Sequence, residues 1–339
     1  MSPRRTAARA LLALLALGPQ WSSCAATDSA GPQVQAGTQL LLSTTGLPSL
    51  DAARDGTYEA WVIGGDGRAH SAGRFDPAAE GVTLVSPVAG VNALEVTVEP
   101  PGDADDQPSE QRLLRGELTG TRSALTVVGA VTHGAAFYEQ PGTFTMFTPS
   151  DNADNPYPSH EDAGVWLFNV RPRETPQNDM WVRMTQLTPG WTYEGWVVRD
   201  LGTPNEIWLS YGKFLPDATG ALSAKDDTGW GPFSGVIDFR TAGVEDFPGD
   251  DWISNPLGYP FPPALTLPLN LRETDASGRL RWTHVITVEP STNRGEAVGS
   301  ERPFFIRPYS DPVGDGGPGV PRVITYRSAG VPGGVVEVR

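Results

Sequence analysis

The strongest constraint on the fold is a short sequence that occurs twice. Residues 57–62 read Thr-Tyr-Glu-Ala-Trp-Val and residues 192–197 read Thr-Tyr-Glu-Gly-Trp-Val. Alternation along a strand places the tyrosine on one sheet face and the tryptophan on the other. A strand that is apolar on both faces is usually central in its sheet. We expect the tryptophan side to point into the core of a β-sandwich, and the small residues Ala60 and Gly195 to leave room for a bulky neighbour.

Other segments repeat in the same order as this one. Ser-Ala-Gly-Arg-Phe at 71–75 matches Ser-Tyr-Gly-Lys-Phe at 210–214, and Val-Thr-Val-Glu-Pro at 96–100 matches Ile-Thr-Val-Glu-Pro at 286–290. Matched segments in a conserved order indicate an internal duplication. The motif residues predicted to correspond are Tyr58, Trp61 and Phe75 in the first copy, and Tyr193, Trp196 and Phe214 in the second.

The spacing of these segments predicts two domains. Arg112-Leu-Leu is matched with Arg302-Pro-Phe, and the two copies are placed at 38–135 and 136–312. The matched segments lie further apart in the second copy, so this domain carries an insertion of about fifty residues near 217–266. In the first copy, alternation points Leu94, Val96 and Val98 inward and Glu95, Thr97 and Glu99 outward.

Composition favours the all-β class. The 39 Gly and 32 Pro fall mostly between short apolar runs, where turns between many short strands would place them. The ten Trp, eight Tyr and twelve Phe argue against disorder, because disordered chains are poor in aromatic residues. We predict two tandem immunoglobulin-like antiparallel β-sandwiches, the second with the long insertion.

The first copy resembles a known family. Residues 56–75, GTYEAWVIGGDGRAHSAGRF, and 93–118, ALEVTVEPPGDADDQPSEQRLLRGEL, are similar to the extracytoplasmic C-terminal domain of anti-sigma-K factors. The resemblance implies an immunoglobulin-like sandwich outside the cytoplasmic membrane. In that family a cytoplasmic sigma-binding domain and a transmembrane helix precede the outer domain. We find neither pattern, so we expect this chain not to hold a sigma factor itself.

The N-terminus is typical of a secretory signal peptide. Three arginines (Arg4, Arg5 and Arg9) precede an apolar run at 10–17, which is too short to span a membrane. A buried helix of the mature fold is the alternative to this interpretation.

The sole cysteine, Cys24, ends a sequence that resembles a bacterial lipobox, Trp-Ser-Ser-Cys. The resemblance implies a signal peptide at 1–23, a lipid on Cys24 and a flexible tether at 24–37, with the protein held on a membrane facing the periplasm or cell surface. Ordinary cleavage after Ala25 and plain secretion is the alternative. The Gly/Pro-rich stretch 313–339 is predicted to be a tail in which residues 322–326 add an edge strand and the rest frays.

Charge limits the class of partner. The net charge is −15, and a surface this acidic repels the phosphate backbone of nucleic acids. The unknown partner is therefore expected to be an envelope protein or a glycan.

The sequence contains no recognisable catalytic, metal or cofactor motif. It has no zinc signature, nucleophile elbow or phosphate loop, so we predict no catalytic residue, no cofactor and no enzyme, a hydrolase being the least unfavourable exception. His284 replaces Leu94 of the first copy and is expected to be a partly buried, hydrogen-bonded histidine rather than a ligand.

Two acidic loops, 150–162 and 243–252, are predicted to be solvated turns, with calcium binding as the alternative. Their carboxylates include Asp246, Asp250 and Asp251, which would serve acid–base chemistry only if a cleft raised the pKa of one of them.

Tryptophans are concentrated in the second half of the chain. Exposed tryptophans anchor protein interfaces and stack on sugar rings, whereas buried ones fill sandwich cores. We expect a non-catalytic module for protein interaction or envelope sensing, and carbohydrate or cell-wall binding through second-domain aromatics is the alternative. The candidate binding aromatics are Trp208, Trp230 and Trp252.

Overall fold

The computed structural model describes residues 34–128, 142–151, 162–167, 187–215, 239, 248–291, 302–314 and 320–339. Within these residues the regular structure consists of strands and one short 3-10 helix, so the all-β prediction is confirmed. No helix among them is long and apolar enough to cross a membrane. The elements, in chain order, are β1 (Gln39–Thr45), β2 (Thr57–Ile63), β3 (Ala69–Phe75), β4 (Val82–Val85), β5 (Ala93–Glu99), β6 (Arg112–Glu117), β7 (Arg122–Val127), β8 (Gly142–Met146), β9 (Gly164–Trp166), β10 (Trp191–Arg199), β11 (Ile207–Phe214), β12 (Gly249–Asp251), β13 (Trp282–Pro290), β14 (Ile306–Pro312), β15 (Arg322–Ile324), the 3-10 turn Ser328–Gly330 and β16 (Gly333–Val338).

The strands form three antiparallel sheets. The largest has eight strands in the order β3-β2-β5-β6-β7-β16-β1-β4, and its two end strands come close together, which makes it barrel-like. A second sheet has the order β11-β10-β13-β14, and a third has the order β12-β9-β8-β15. The arrangement of the strands as two tandem immunoglobulin-like sandwiches remains a prediction.

The C-terminal stretch contains strand β16, so the expectation that the chain frays beyond residue 326 is wrong. Strand β16 lies between β7 and β1, where Val336 pairs with Leu42 on one side and with Ser123 on the other. The alternating valines of β16 carry the strand pattern, and Val336 is fully buried. The end of the chain therefore completes the sheet built by its beginning.

Two four-stranded units have the same architecture. Unit 1 has the order β3-β2-β5-β6 and unit 2 has the order β11-β10-β13-β14. Tyr58 pairs with Phe75 as Tyr193 pairs with Phe214. Each unit has a β-bulge directly before its motif tryptophan, and the bulged edge strand contains a glycine at positive φ, Gly73 or Gly212.

The strand register corrects one expected correspondence. Leu114 pairs with Val96, and Tyr309 pairs with Ile286, which occupies the same place in unit 2. The counterpart of Arg112-Leu-Leu is therefore Arg307-Pro-Tyr, and the expected match to Arg302 is wrong. The sequence contains Arg-Pro twice within seven residues, and only the pairing of β13 with β14 distinguishes the two.

The tyrosine faces of both units line one continuous core. Tyr58, Val96, Tyr193 and Ile286 belong to this cluster, whereas Trp61 does not. Trp61 and its cross-strand neighbour Glu95 lie together on the other face of the sheet. The expectation that the tryptophan side points into the sandwich core is therefore wrong.

Candidate functional site

The second face of unit 1 carries a buried polar network around its tryptophan. Trp61 Nε1 donates to Thr97 Oγ1 at 2.9 Å, and the Thr97 hydroxyl donates to the carboxylate of Glu99. Next to them, Ser71 Oγ donates to Glu59 Oε1 at 2.5 Å. Thr97 and Glu99 lie on the face opposite the core, as the alternation predicts, and both side chains are fully buried there. Burial removes the Glu99 carboxylate from water and so raises its pKa. The hydrogen bond from Thr97 acts in the opposite direction but does not cancel this effect.

Unit 2 contains the same network. Trp196 Nε1 donates to Thr287 Oγ1 at 2.9 Å, and Thr287 Oγ1 donates to Glu289 Oε1 at 2.5 Å. Ser210 Oγ donates to Glu194 Oε1 at 2.7 Å. Buried polar groups are costly unless they are hydrogen-bonded, so each member requires the others. This mutual requirement explains why Thr-Tyr-Glu-x-Trp and Thr-Val-Glu-Pro occur together twice.

The two glutamates at the strand ends also bind the backbone just before the next strand. Ser109 N donates to both carboxylate oxygens of Glu99 at 3.2 Å, and Phe304 N donates to Glu289 Oε1 at 2.7 Å. Ser109 and Phe304 lie shortly before β6 and β14, so each glutamate helps to position the arginine at the start of that strand.

The motif tyrosines and phenylalanines lie on the core face, where they pair with each other. The rings of Tyr58 and Phe75 stack with centroids 5.8 Å apart, and those of Tyr193 and Phe214 stack at 5.7 Å. Tyr58 Oη donates to the carbonyl of Pro48 at 3.1 Å. Burial raises the pKa of Tyr58, so its hydroxyl stays protonated.

The two units differ at one point of this core face. Unit 2 has Gly195 and Tyr211 where unit 1 has Ala60 and Ala72, and the ring of Tyr211 fills the space above Gly195. The expected bulky neighbour of the small residue is therefore present in unit 2. Tyr211 Oη is hydrogen-bonded to His284 Nε2 at 2.9 Å.

His284 is fully buried against aromatic rings. Its ring packs edge-on against Phe144 with centroids 4.4 Å apart, and burial lowers the pKa of His284 from 6.5 to about 3. The prediction of a hydrogen-bonded structural histidine is confirmed, with more complete burial than expected.

A charged groove covers the outer face of unit 1, the face opposite the core. The groove has a volume of about 670 Å³, and its uncharged lining residues include Ala69 and Gln107. The buried carboxylate of Glu95 lies 3.4 Å from Arg112 Nε and 3.2 Å from Arg115 Nη1. The further charged lining residues are Arg68 and Glu117.

The corresponding face of unit 2 is aromatic. Trp208 stands where unit 1 has Ala69, and its ring lies edge-on to Trp196 with centroids 5.6 Å apart. The guanidinium carbon of Arg307 lies 4.5 Å from the centre of the Trp208 ring. Val285 occupies the position of Glu95.

The candidate binding aromatics have different environments. Trp208 is half-buried, with part of its surface accessible. Trp252 is fully buried in the main core, and its expected role as an exposed binding aromatic is therefore wrong. Trp230 and the predicted lipidation site Cys24 lie outside the described residues.

The acidic segment at 249–251 is a strand rather than a solvated turn. Asp250 and Asp251 are fully buried, and Asp251 Oδ2 accepts a hydrogen bond from Ser150 N at 3.0 Å. Asp246 and most of the loop at 150–162 lie outside the described residues. No group of three potential metal ligands occurs in the part of the chain that the structure describes.

Sequence reasoning missed the charged groove and the position of Arg307. From the sequence, Arg112 is only a marker of the repeat, and alternation predicts no more for Glu95 than that it points outward. Strand alternation gives no signal for the groove, because Arg112 and Arg115 are three positions apart and only the bulge at Leu113 brings both to one face.

These features define an all-β protein with two four-stranded units that share strand order and buried polar motif. The model of the family described as anti-sigma-K factor rskA, C-terminal, matches residues 2–112. The match begins inside the predicted signal peptide and ends at the start of β6, so the family resemblance expected for the first copy is confirmed as far as residue 112. No curated protein and no solved structure gave a significant match.

Proposed function

We propose that the protein is a non-catalytic envelope module that is exported, held on a membrane by a lipid on Cys24, and used for protein interaction or envelope sensing. The observation that carries the proposal is the match of residues 2–112 to the outer domain of anti-sigma-K factors. The proposal includes two tandem immunoglobulin-like domains that derive from one ancestral unit. The common strand order and bulge of units 1 and 2 support this origin.

The groove of unit 1 is the surface that best fits a partner. Its buried Glu95 holds Arg112 and Arg115 in place while about 40% or more of each arginine side chain remains accessible. Preorganised charges at a surface steer association and fix the orientation of a partner. A polar protein segment suits this groove better than a sugar ring, because the groove offers no exposed tryptophan face.

The second unit supports the protein-partner proposal over glycan binding. Trp252 is buried, and one side of the Trp208 ring is covered by Arg307. Stacking on a sugar requires an open ring face, so neither described candidate presents the broad aromatic platform that the carbohydrate hypothesis requires.

Site-specific photo-crosslinking in cells tests the interaction. A photoreactive phenylalanine at Ala69 lies in the groove, and the same residue at the exposed Glu80 serves as the matched control outside it. We expect discrete protein adducts from position 69 that are absent from position 80. Identical adduct patterns, or none from position 69, would contradict the role of the groove.

Lipid anchoring is tested separately by fractionation. Cys24→Ser is expected to move the protein from the membrane fraction to the soluble exported fraction, with the fold unchanged. The lipid anchor is rejected if the Cys24→Ser variant remains in the membrane fraction. If the parent chain itself is found in the soluble exported fraction, plain secretion is favoured instead.

A further inference from the structure

Arg307 in unit 2 occupies the position of Arg112 in unit 1. The register establishes this equivalence, because the residue two places further along the strand, Leu114 or Tyr309, pairs with the equivalent residue of the central strand. The two arginines therefore lie on the same outer face of equivalent sheets.

Their electrostatic environments differ because of one substitution. In unit 1 the carboxylate of Glu95 lies 3.4 Å from Arg112, and Glu95 pairs across the sheet with Trp61. In unit 2 the residue opposite Trp196 is Val285, which carries no charge. Unit 2 has kept the arginine but lacks the carboxylate that its counterpart binds.

Arg307 consequently lacks a bonded partner among the residues that the structure describes. Its side chain is half-buried, and its Nε is buried and makes no hydrogen bond there. Desolvation lowers the pKa of Arg307, and the carboxylates of Glu206 and Glu289 offset this effect only through longer-range attraction. A half-buried cation without hydrogen bonds is costly, so a ligand that supplies acceptors gains more here than at an ordinary surface arginine.

The Trp208 ring holds the guanidinium in a geometry suited to binding. The guanidinium carbon lies over the ring, 4.5 Å from its centre, so the indole contacts the cation from one side. Nε is buried, and the two terminal Nη groups are the donors left for an acceptor. The planar fork of these donors matches a carboxylate. Leu201 and Trp208 both pack against the small apolar cluster of Trp196, Val198 and Val285, so Leu201 provides an apolar border to the site.

We propose that Arg307 and Trp208 form a binding site for an acidic side chain of a partner protein. This inference rests on the proposed function as a protein-interaction module and names the chemistry of one contact. Unit 1 indicates the ligand class, because the equivalent arginine binds a carboxylate. A side chain on a peptide suits the site better than a free small anion, since the chain carries a net charge of −15 and apolar contact with Trp208 must add to the binding.

Peptide binding to the soluble chain tests the proposal by fluorescence anisotropy. The probes are dye-labelled Ala-Leu-Glu-Leu-Ala and its neutral counterpart Ala-Leu-Gln-Leu-Ala. We expect the glutamate peptide to bind at least about tenfold more tightly, as one charge-assisted hydrogen bond at a desolvated site allows. Arg307→Met, which keeps the apolar stem, should remove this preference, and Arg112→Met in unit 1 should leave it unchanged.

A variant that supplies the missing carboxylate provides the sharpest control. Val285→Glu places an acid where unit 1 has Glu95, so it should occupy Arg307 internally and abolish the preference for the glutamate peptide. Val285→Gln makes a similar change of size without charge and should keep the preference. Urea unfolding of each variant verifies that the fold is retained.

The proposal is overturned if the two peptides bind alike, or if Arg307→Met or Val285→Glu keeps the discrimination of the parent chain. The proposal is also contradicted if Val285→Gln loses the preference for the glutamate peptide. The size of the new side chain, rather than its charge, would then explain the loss in Val285→Glu. If the photo-crosslinks at position 69 persist while the peptides fail, only this inference falls. Loss of the crosslinks alone would instead reject the proposed role of the groove.

Discussion

Gly195→Ala should destabilise the protein even though it replaces a strand glycine with a residue that normally favours folding. An added Cβ would lie 1.7 Å from Cζ, 1.9 Å from Cε2 and 2.1 Å from Oη of Tyr211. Tyr211 has little freedom to move, because it is fully buried, stacks on Phe214 and is hydrogen-bonded to His284. Alanine in place of glycine in a strand ordinarily gains about 0.5–1 kcal/mol. Overpacking a core costs about 1–3 kcal/mol and sometimes more, so we expect a net loss of about 2 kcal/mol.

A double-mutant cycle in urea isolates this contact. Tyr211→Ala alone should cost about 3–5 kcal/mol because it leaves a cavity and an unpaired histidine. In the Tyr211→Ala background, however, Gly195→Ala should cost nothing or become stabilising. Unit 1 provides the reference, because Ala60 and Ala72 coexist there, and Ala60→Gly should be mildly destabilising. The packing argument is refuted if Gly195→Ala unfolds at the urea concentration of the parent chain, or if its cost is the same with and without the Tyr211 ring.

Three further predictions concern buried polar groups. Thr97→Val should lower the free energy of unfolding by about 1–3 kcal/mol, because Trp61 loses its hydrogen-bond acceptor, and Thr287→Val should do the same in unit 2; urea midpoints close to the parent value would contradict this. The depressed pKa of His284, about 3, means that its contribution to stability is present above pH 6.5 and is lost as the pH falls. His284→Leu should therefore lose less stability than the parent chain between pH 7 and pH 4, where the parent loses about 3 kcal/mol at this site, and parallel pH profiles would refute the assignment. Burial raises the pKa of Glu99, so its contribution is full below pH 4.5 and falls as the pH rises through the higher folded-state pKa. Glu99→Gln should accordingly gain stability relative to the parent between pH 4 and pH 7, measured by thermal unfolding, and a relative loss over that range would show that the sign is wrong.

The comparison of the two units shows why some predictions from sequence succeeded. The correspondence of Tyr58 with Tyr193 and of Phe75 with Phe214 was predictable, because these residues lie within short segments that repeat together. The room beside Gly195 was predictable for the same reason, since its partner is the next strand along the chain. Local signals of this kind need no knowledge of distant contacts.

Other features required the positions of strands far apart in the chain. Arg302 and Arg307 both precede a proline, so only the register of β13 with β14 identifies Arg307 as the counterpart of Arg112. Strand β16 is apolar and alternating in sequence, yet its place between β7 and β1 depends on partners more than 200 residues away.

The sequence by itself determined the all-β class and the repeated segments with most of their corresponding residues, because alternation and turn residues act over short distances. The tertiary structure alone decided which sheet face became the core. Both faces of the motif strand are rich in buried side chains, and the choice depends on what packs against each one. Cross-strand partners make the tryptophan face a buried hydrogen-bond network. Val285 stands at the position that Glu95 occupies in unit 1, so among the described residues Arg307 has no carboxylate bonded to it.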